Sequence, residues 1–119
     1  QKRDFTYVYD IVDAMIAGMN KNIFNEIFNI GSGNCYSINY LAKLLNSEKI
    51  YIPKRPGEPD ITFADISKAV HLLKWKPKIS FEAGVQKVLE NINDWSNAPV
   101  WKPDSIKKAT KQWFRYLKD

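Results

Sequence analysis

Between Arg55 and Asp60 the chain reads Arg-Pro-Gly-Glu-Pro-Asp, and this run can only be a loop. Pro56 and Pro59 fix their own φ and donate no backbone hydrogen bond, while Gly57 frees the backbone between them. The segment is therefore a stiffened loop hinged at Gly57. It also sets a cation and a carboxylate, Arg55 and Glu58, three residues apart at low entropic cost. A guanidinium suits a phosphate bidentately, and a nearby carboxylate can accept from ribose hydroxyls. The same residues would equally serve as a surface turn with a solvated Arg–Glu pair.

On either side of this loop short strands alternate with amphipathic helices, which predicts an α/β domain with helices outnumbering strands. Asp10 is expected to cap a helix with Ile11, Val12, Met15, Ile16 and Met19 on its apolar face, ending near Gly18 to Asn20. Ile27 to Ile30 reads as a short buried strand, halted by the turn Gly31-Ser32-Gly33. Ser37 caps a second helix carrying Ile38, Leu41, Ala42, Leu44 and Leu45. Lys49 to Pro53 reads as a strand with Ile50 and Ile52 on one face. Ile61 to Phe63 reads as another, followed by an Asp65 cap and a helix from Ile66 to Lys74. Ser80 opens the longest helix, with Phe81, Val85, Val88, Leu89, Ile92 and Trp95 aligned. Residues 96–103 form a connector to a final helix that starts at Pro103, Asp104 or Ser105. Its Ile106, Ala109, Trp113 and Leu117 make an apolar stripe expected to dock on the core.

At 119 residues, 45% hydrophobic and 26% charged, the chain is a single soluble domain able to bury a core. No apolar run approaches membrane-spanning length, and no segment resembles a signal peptide. Cys35 is the sole cysteine, so no internal disulfide can form and the cytoplasm is the expected compartment. With His71 as the sole histidine, neither a paired base for a cysteine nucleophile nor a metal-ligand set is apparent. Most of the net charge of +5 sits on the tail, where Lys102, Lys107, Lys108, Lys111, Arg115 and Lys118 face only Asp104 and Asp119. Such a run is either the solvated face of an amphipathic helix or part of a basic aromatic nucleic-acid-binding or protein-interaction module. In the second case Trp113 or Tyr116 would stack on bases. The apolar stripe favours the first, so nucleic acid is not the expected partner.

Four segments, taken in order, resemble a known family. Arg3-Asp4-Phe5-Thr6-Tyr7-Val8-Tyr9-Asp10 is similar to its R-[DE]-[FWY]-x-[YH]-V-x-D segment. Phe28-Asn29-Ile30-Gly31-Ser32-Gly33 is similar to its N-[IVL]-G-[SGA]-G turn. The Arg55 loop with Ile61 to Ala69 and then Leu72 to Val85, including Leu-Lys-Trp-Lys-Pro-Lys, completes the set. The family is the extended short-chain dehydrogenase/reductases, the NAD-dependent nucleotide-sugar epimerases and dehydratases such as UDP-glucose 4-epimerase. The resemblance is to their C-terminal, substrate-binding part and runs from Arg3 to about Trp95.

That resemblance implies a division of labour. Arg3 and Arg55 match two arginines that contact the substrate pyrophosphate from opposite sides, Glu58 a position reaching toward the ribose, and Asn34 one beside the nucleotide. Without it, Arg3 could instead pair with Asp4 or Asp10, and Asn34 could simply complete its turn. Neither the family's G-x-x-G-x-x-G fingerprint nor its catalytic Tyr-x-x-x-Lys occurs in this sequence. No catalytic residue and no cofactor are therefore expected in this chain, with NAD implied for the full-length parent. The chain reads as a fragment, inactive alone, that binds a nucleoside diphosphate sugar. In the family the strand near Ile27 to Ile30 lies with the large Rossmann sheet. An uncovered strand edge and bare helix faces then imply a homodimer.

Overall fold

The computed structural model describes residues 1–117; Lys118 and Asp119, counted above in the basic tail, lie outside the described residues. Strand pairing is confined to a small ribbon. β1 (Lys2–Arg3) runs antiparallel to β2 (Tyr36–Ser37), with Lys2 opposite Ser37 and Arg3 opposite Tyr36. The chain after the proline loop closes on the same strand: Lys2 N donates to Asp60 O at 2.8 Å and Thr62 N to Lys2 O at 3.2 Å. Lys2 and Ile61 thereby form a parallel bridge.

Five α-helices are described: α1 (Val8–Met19), α2 (Ile38–Leu44), α3 (Phe81–Glu90), α4 (Pro103–Ala109) and α5 (Lys111–Tyr116). Ser37 and Ser80 cap α2 and α3, their Oγ atoms accepting from Tyr40 N at 3.0 Å and Ala83 N at 3.2 Å. Asp65 Oδ1 likewise accepts from Ser67 N at 2.9 Å. The helix it starts becomes a π-helical turn, Ala69–Leu73, closed by Lys74 at a left-handed φ of 56°. A 3-10 turn, Ile92–Trp95, follows α3.

The core forms where α1 meets that π-helical turn. Ala14, Ala69, Leu73 and Trp75 are buried together, with Ala17, Ile23, Phe28, Ile30 and Ile66 packed around them. Small residues on α1 let the two elements approach closely. A second apolar layer stacks Phe5, Tyr36 and Phe81, with ring centroids 4.9 Å apart for Phe5–Phe81 and 4.4 Å for Tyr36–Phe81.

Several expectations are corrected. Asp10 does not cap α1; the helix begins at Val8 after Tyr7, and Asp10 lies within its first turn. The face of α1 that is buried carries Asp10 and Ala14, whereas Val12, Met15, Ile16 and Met19 are exposed, Met19 at 84%. Residues 27–30 are not a strand: Ile30 and Phe28 lean on the core and Ile27 is exposed. Residues 49–53 are not a strand either, and Ile50, Tyr51 and Ile52 are all exposed. Both runs have strand-like composition, but a strand needs a hydrogen-bonded neighbour, and none is paired with them among the described residues. Of the Ile61 to Phe63 strand only the single bridge at Ile61 forms.

α3 also ends earlier than its apolar periodicity predicts, at Glu90, leaving Ile92 and Trp95 exposed. The final helix is broken at Thr110, whose Oγ1 bonds back to Ile106 O at 2.8 Å. That bond competes with helix propagation. Of the predicted stripe, Ile106 is half-buried and Trp113 reaches the proline loop, whereas Ala109 and Leu117 are exposed and Thr110 and Phe114 turn inward instead, so the docking stripe is only partly the predicted one.

Candidate functional site

The six-residue loop folds as its composition dictates. Glu58 N donates to Arg55 O at 3.3 Å, Pro56 and Gly57 occupy the two central turn positions, and Gly57 has φ +70°. Proline first and a positive-φ glycine second is the type II arrangement. The turn brings the Glu58 carboxylate back onto Arg55: Nε reaches Oε2 at 2.9 Å and Nη2 reaches Oε1 at 2.6 Å.

β1 then delivers the second arginine. Because Lys2 is bonded to Asp60 and Thr62, Arg3 is held beside the loop, and its Nη2 reaches the same Glu58 Oε1 at 3.2 Å. Its Nη1 donates to the carbonyls of Lys2 at 2.8 Å and Asp60 at 3.4 Å. Neither Asp4 nor Asp10 pairs with Arg3; both carboxylates are engaged elsewhere. Thus Arg3 and Arg55 converge on one carboxylate that lies 55 positions from Arg3 in sequence.

The electrostatics follow from that convergence. The bond from Arg55 is the foremost cause that holds the Glu58 carboxyl at about 2, from an ordinary value of 4.5; burial opposes it, and Gln1 and Arg3 add to it. Glu58 is therefore ionised at neutral pH. One carboxylate between two guanidiniums leaves an excess positive charge, and the Arg55 and Arg3 side chains remain 33% and 24% exposed. Such a cluster is an anion site whose cations are already oriented. A cavity of about 550 Å³ opens beside it, lined in part by Asn39, Tyr51, Lys54, Arg55 and Glu58.

Asn34 is not joined to this cluster. Its backbone N–H takes Ser32 Oγ at 3.2 Å, and the same hydroxyl donates to Asn34 O. Of the four candidate residues, three are brought together and the fourth completes its turn.

Two residues that the sequence reading missed build the scaffold. The Asp4 carboxylate accepts from Ser32 N at 2.7 Å, Ala64 N at 3.1 Å and Thr6 Oγ1 at 3.1 Å. Burial alone would raise its pKa, yet these hydrogen bonds prevail and hold it below the usual carboxylate value. Asp10 accepts from Lys78 N and Ile79 N at 3.0 Å each. The two aspartates thus tie the first motif to the glycine turn, the segment after the proline loop and the Trp-Lys-Pro segment. A signal for Asp10 was present: it falls four residues before Ala14 and seven before Ala17, on the small-residue face of α1.

The glycine turn is filled rather than open. A Cβ on Gly31 would lie 2.5 Å from Asp4 Oδ2 and 2.6 Å from Ala64 Cβ. With the Ser32 N–H taken by the Asp4 carboxylate, this turn does not fit the pyrophosphate of NAD.

No family model matches the chain. Curated relatives do. It is 37% identical over 114 residues to UDP-glucuronate 4-epimerase of Thermodesulfobacterium geofontis, which covers 90% of this chain and 34% of that protein. It is 35% identical over 115 residues to dTDP-D-glucose 4,6-dehydratase of Mus musculus, covering 82% and 32%. The backbone superposes on UDP-glucuronic acid 4-epimerase of Bacillus cereus, in complex with UDP-glucuronic acid and NAD, with a TM-score of 0.72 and 35% identity over 79% of this chain and 32% of that one. The chain belongs to the extended short-chain dehydrogenase/reductases and corresponds to their C-terminal part. It spans about a third of the length of the relatives it matches. Among the described residues no helix is long and apolar enough to cross a membrane.

Proposed function

We propose that this chain is the nucleotide-sugar-binding part of an NAD-dependent sugar epimerase or dehydratase of the cytoplasm, and that it is not catalytically competent alone. The observation that carries this reading is the convergence of Arg3 and Arg55 on Glu58. A diphosphate carries about two negative charges, and two pre-oriented guanidiniums match it with little further loss of side-chain freedom. Glu58 holds both arginines and can accept from a ribose hydroxyl, and Asn34, two residues before β2, is assigned to the nucleotide by the family resemblance alone. The binding energy of the non-reacting nucleotide would position the sugar for chemistry supplied by the remainder of a longer protein.

The alternative, a basic nucleic-acid-binding tail, finds Trp113, one of its two candidate stacking groups, already engaged. Trp113 Nε1 donates to Pro56 O at 2.8 Å, and the ring lies under the Arg55 guanidinium. Self-association has support of its own, because α1 and residues 24–27 expose Val12, Met15, Ile16, Met19, Phe24 and Ile27. A homodimer would cover this face.

Saturation-transfer NMR with UDP, dTDP, GDP and CDP tests the binding role. Saturation of ribose protons that disappears with Arg55→Ala supports it; equal transfer in wild type and variant rejects it. In parallel, incubation with NAD and UDP-glucose should give turnover no higher than a protein-free blank.

A further inference from the structure

The tail does more than pack. α5 reaches back to the proline turn, where Trp113 makes two contacts with consecutive residues. Its indole N–H donates to the Pro56 carbonyl at 2.8 Å, and the Arg55 guanidinium carbon lies 5.0 Å from the ring centroid. Arg55 is thereby fixed on two sides. Glu58 takes the donors along one edge through Nε and Nη2, and the indole covers a face. The turn beneath is pinned as well, because the peptide between Pro56 and Gly57 carries the carbonyl that Trp113 grips. Without Trp113 the face of the guanidinium would be uncovered and the Pro56 carbonyl released, leaving Arg55 oriented through Glu58, which Arg3 also holds.

The remainder of the C-terminal pair of helices supports this contact. Ile106, Thr110 and Phe114 line a second cavity of about 500 Å³ against Tyr51, Pro53 and Arg55. Trp113 is 40% exposed, so most of its value lies in those two directed contacts, not in core burial. Arg55 thus lines both cavities and also meets the tail through the Trp113 ring.

We infer that Trp113 is a positioning residue: it holds the Arg55 guanidinium in the orientation that receives the nucleotide diphosphate, making nucleotide affinity depend on the docking of α5. This rests on the anion-site reading of Arg3, Arg55 and Glu58, and the experiment separates the two claims. The first measurement uses the full chain without nucleotide, following solvent exchange of the Arg55 side-chain Nε–H by NMR. Trp113→Ala should accelerate that exchange about tenfold, while Trp113→Phe, which retains an aromatic face, should recover a good part of the protection. The second measurement titrates UDP. Its affinity should fall about three- to fivefold in Trp113→Ala, the loss expected for one exposed cation–π contact, with partial rescue in Trp113→Phe.

A merely structural role would alter the melting temperature without moving the Arg55 signal relative to amides elsewhere. Unchanged Arg55 exchange together with unchanged UDP affinity in Trp113→Ala overturns the inference. If Arg55 exchange responds but UDP perturbs nothing at Arg3, Arg55 or Glu58 in the wild type, the anion-site reading fails, and with it the role of Trp113 in nucleotide binding. Should Trp113→Ala fail to fold, Trp113→Phe and Trp113→Leu give the same comparison, with the aliphatic variant expected to lose the protection.

Discussion

Asp10→Ala should be among the most damaging single substitutions in this chain. Asp10 is 2% exposed, and its two oxygens accept the backbone N–H groups of Lys78 and Ile79 at 3.0 Å each. Alanine removes both acceptors and leaves two partly buried donors unsatisfied, at about 1–3 kcal/mol apiece. Water entering the vacated space recovers part of that, so the expected cost is about 3 kcal/mol. Asp10→Asn keeps the shape and one acceptor but turns an amide N–H₂ toward a backbone donor, for an expected cost of about 2 kcal/mol. Urea unfolding followed by tryptophan fluorescence reads this directly. For a slope of about 1–1.5 kcal/mol/M, Asp10→Ala should lower the midpoint by about 2–3 M at constant slope. Amide exchange at Lys78 and Ile79 should accelerate more than at α2. A midpoint moved by less than about 0.5 M would refute the claim that this carboxylate joins α1 to the Trp-Lys-Pro segment.

Glu58 sets an acid limit: its folded-state pKa, about 2, lies below the ordinary 4.5, so its contribution is present above 4.5 and lost as pH falls from there toward 2. Melting temperature against pH should decline across that window, and Glu58→Gln should flatten the decline. Gly31→Ala should destabilise by about 2 kcal/mol or more, because the added carbon would meet Asp4 Oδ2 at 2.5 Å and Ala64 Cβ at 2.6 Å, both in tethered segments. Loss of less than about 0.5 kcal/mol by calorimetry would show that the turn gives way freely. Sedimentation at micromolar concentration should show a dimer, and Met15→Lys with Ile16→Lys on the exposed face of α1 should return it to monomer.

The parts of the site legible in sequence were those set by short spacing. Arg55 and Glu58 could be read as a pair because a proline–glycine turn leaves little choice of where three residues lead. Arg3 was reached through resemblance, since no local pattern connects it with residues 55 positions away. Asp4 and Asp10 were missed because carboxylates default to solvent or to helix caps, and only their long-range amide partners reveal otherwise. Helix starts at Ser37 and Ser80 are decided locally by a side-chain acceptor, so they were predicted. Strands at residues 27–30 and 49–53 were overpredicted for the opposite reason: β-propensity describes a fit to neighbours, and no neighbouring strand pairs with them among the described residues. The face of α1 was misassigned because periodicity finds the largest apolar stripe, whereas close packing against the π-helical turn selected the small residues.

The most direct test of the central claim is amide chemical-shift mapping during titration with UDP. Perturbations should cluster at Arg3, at Gly31 to Asn34 and at Arg55 to Glu58, and Arg55→Ala should abolish them. Binding by this chain alone should be no tighter than about 1 mM, or roughly 4 kcal/mol. Perturbations that map instead to Lys107, Lys111 and Arg115, and survive Arg55→Ala, would contradict the account.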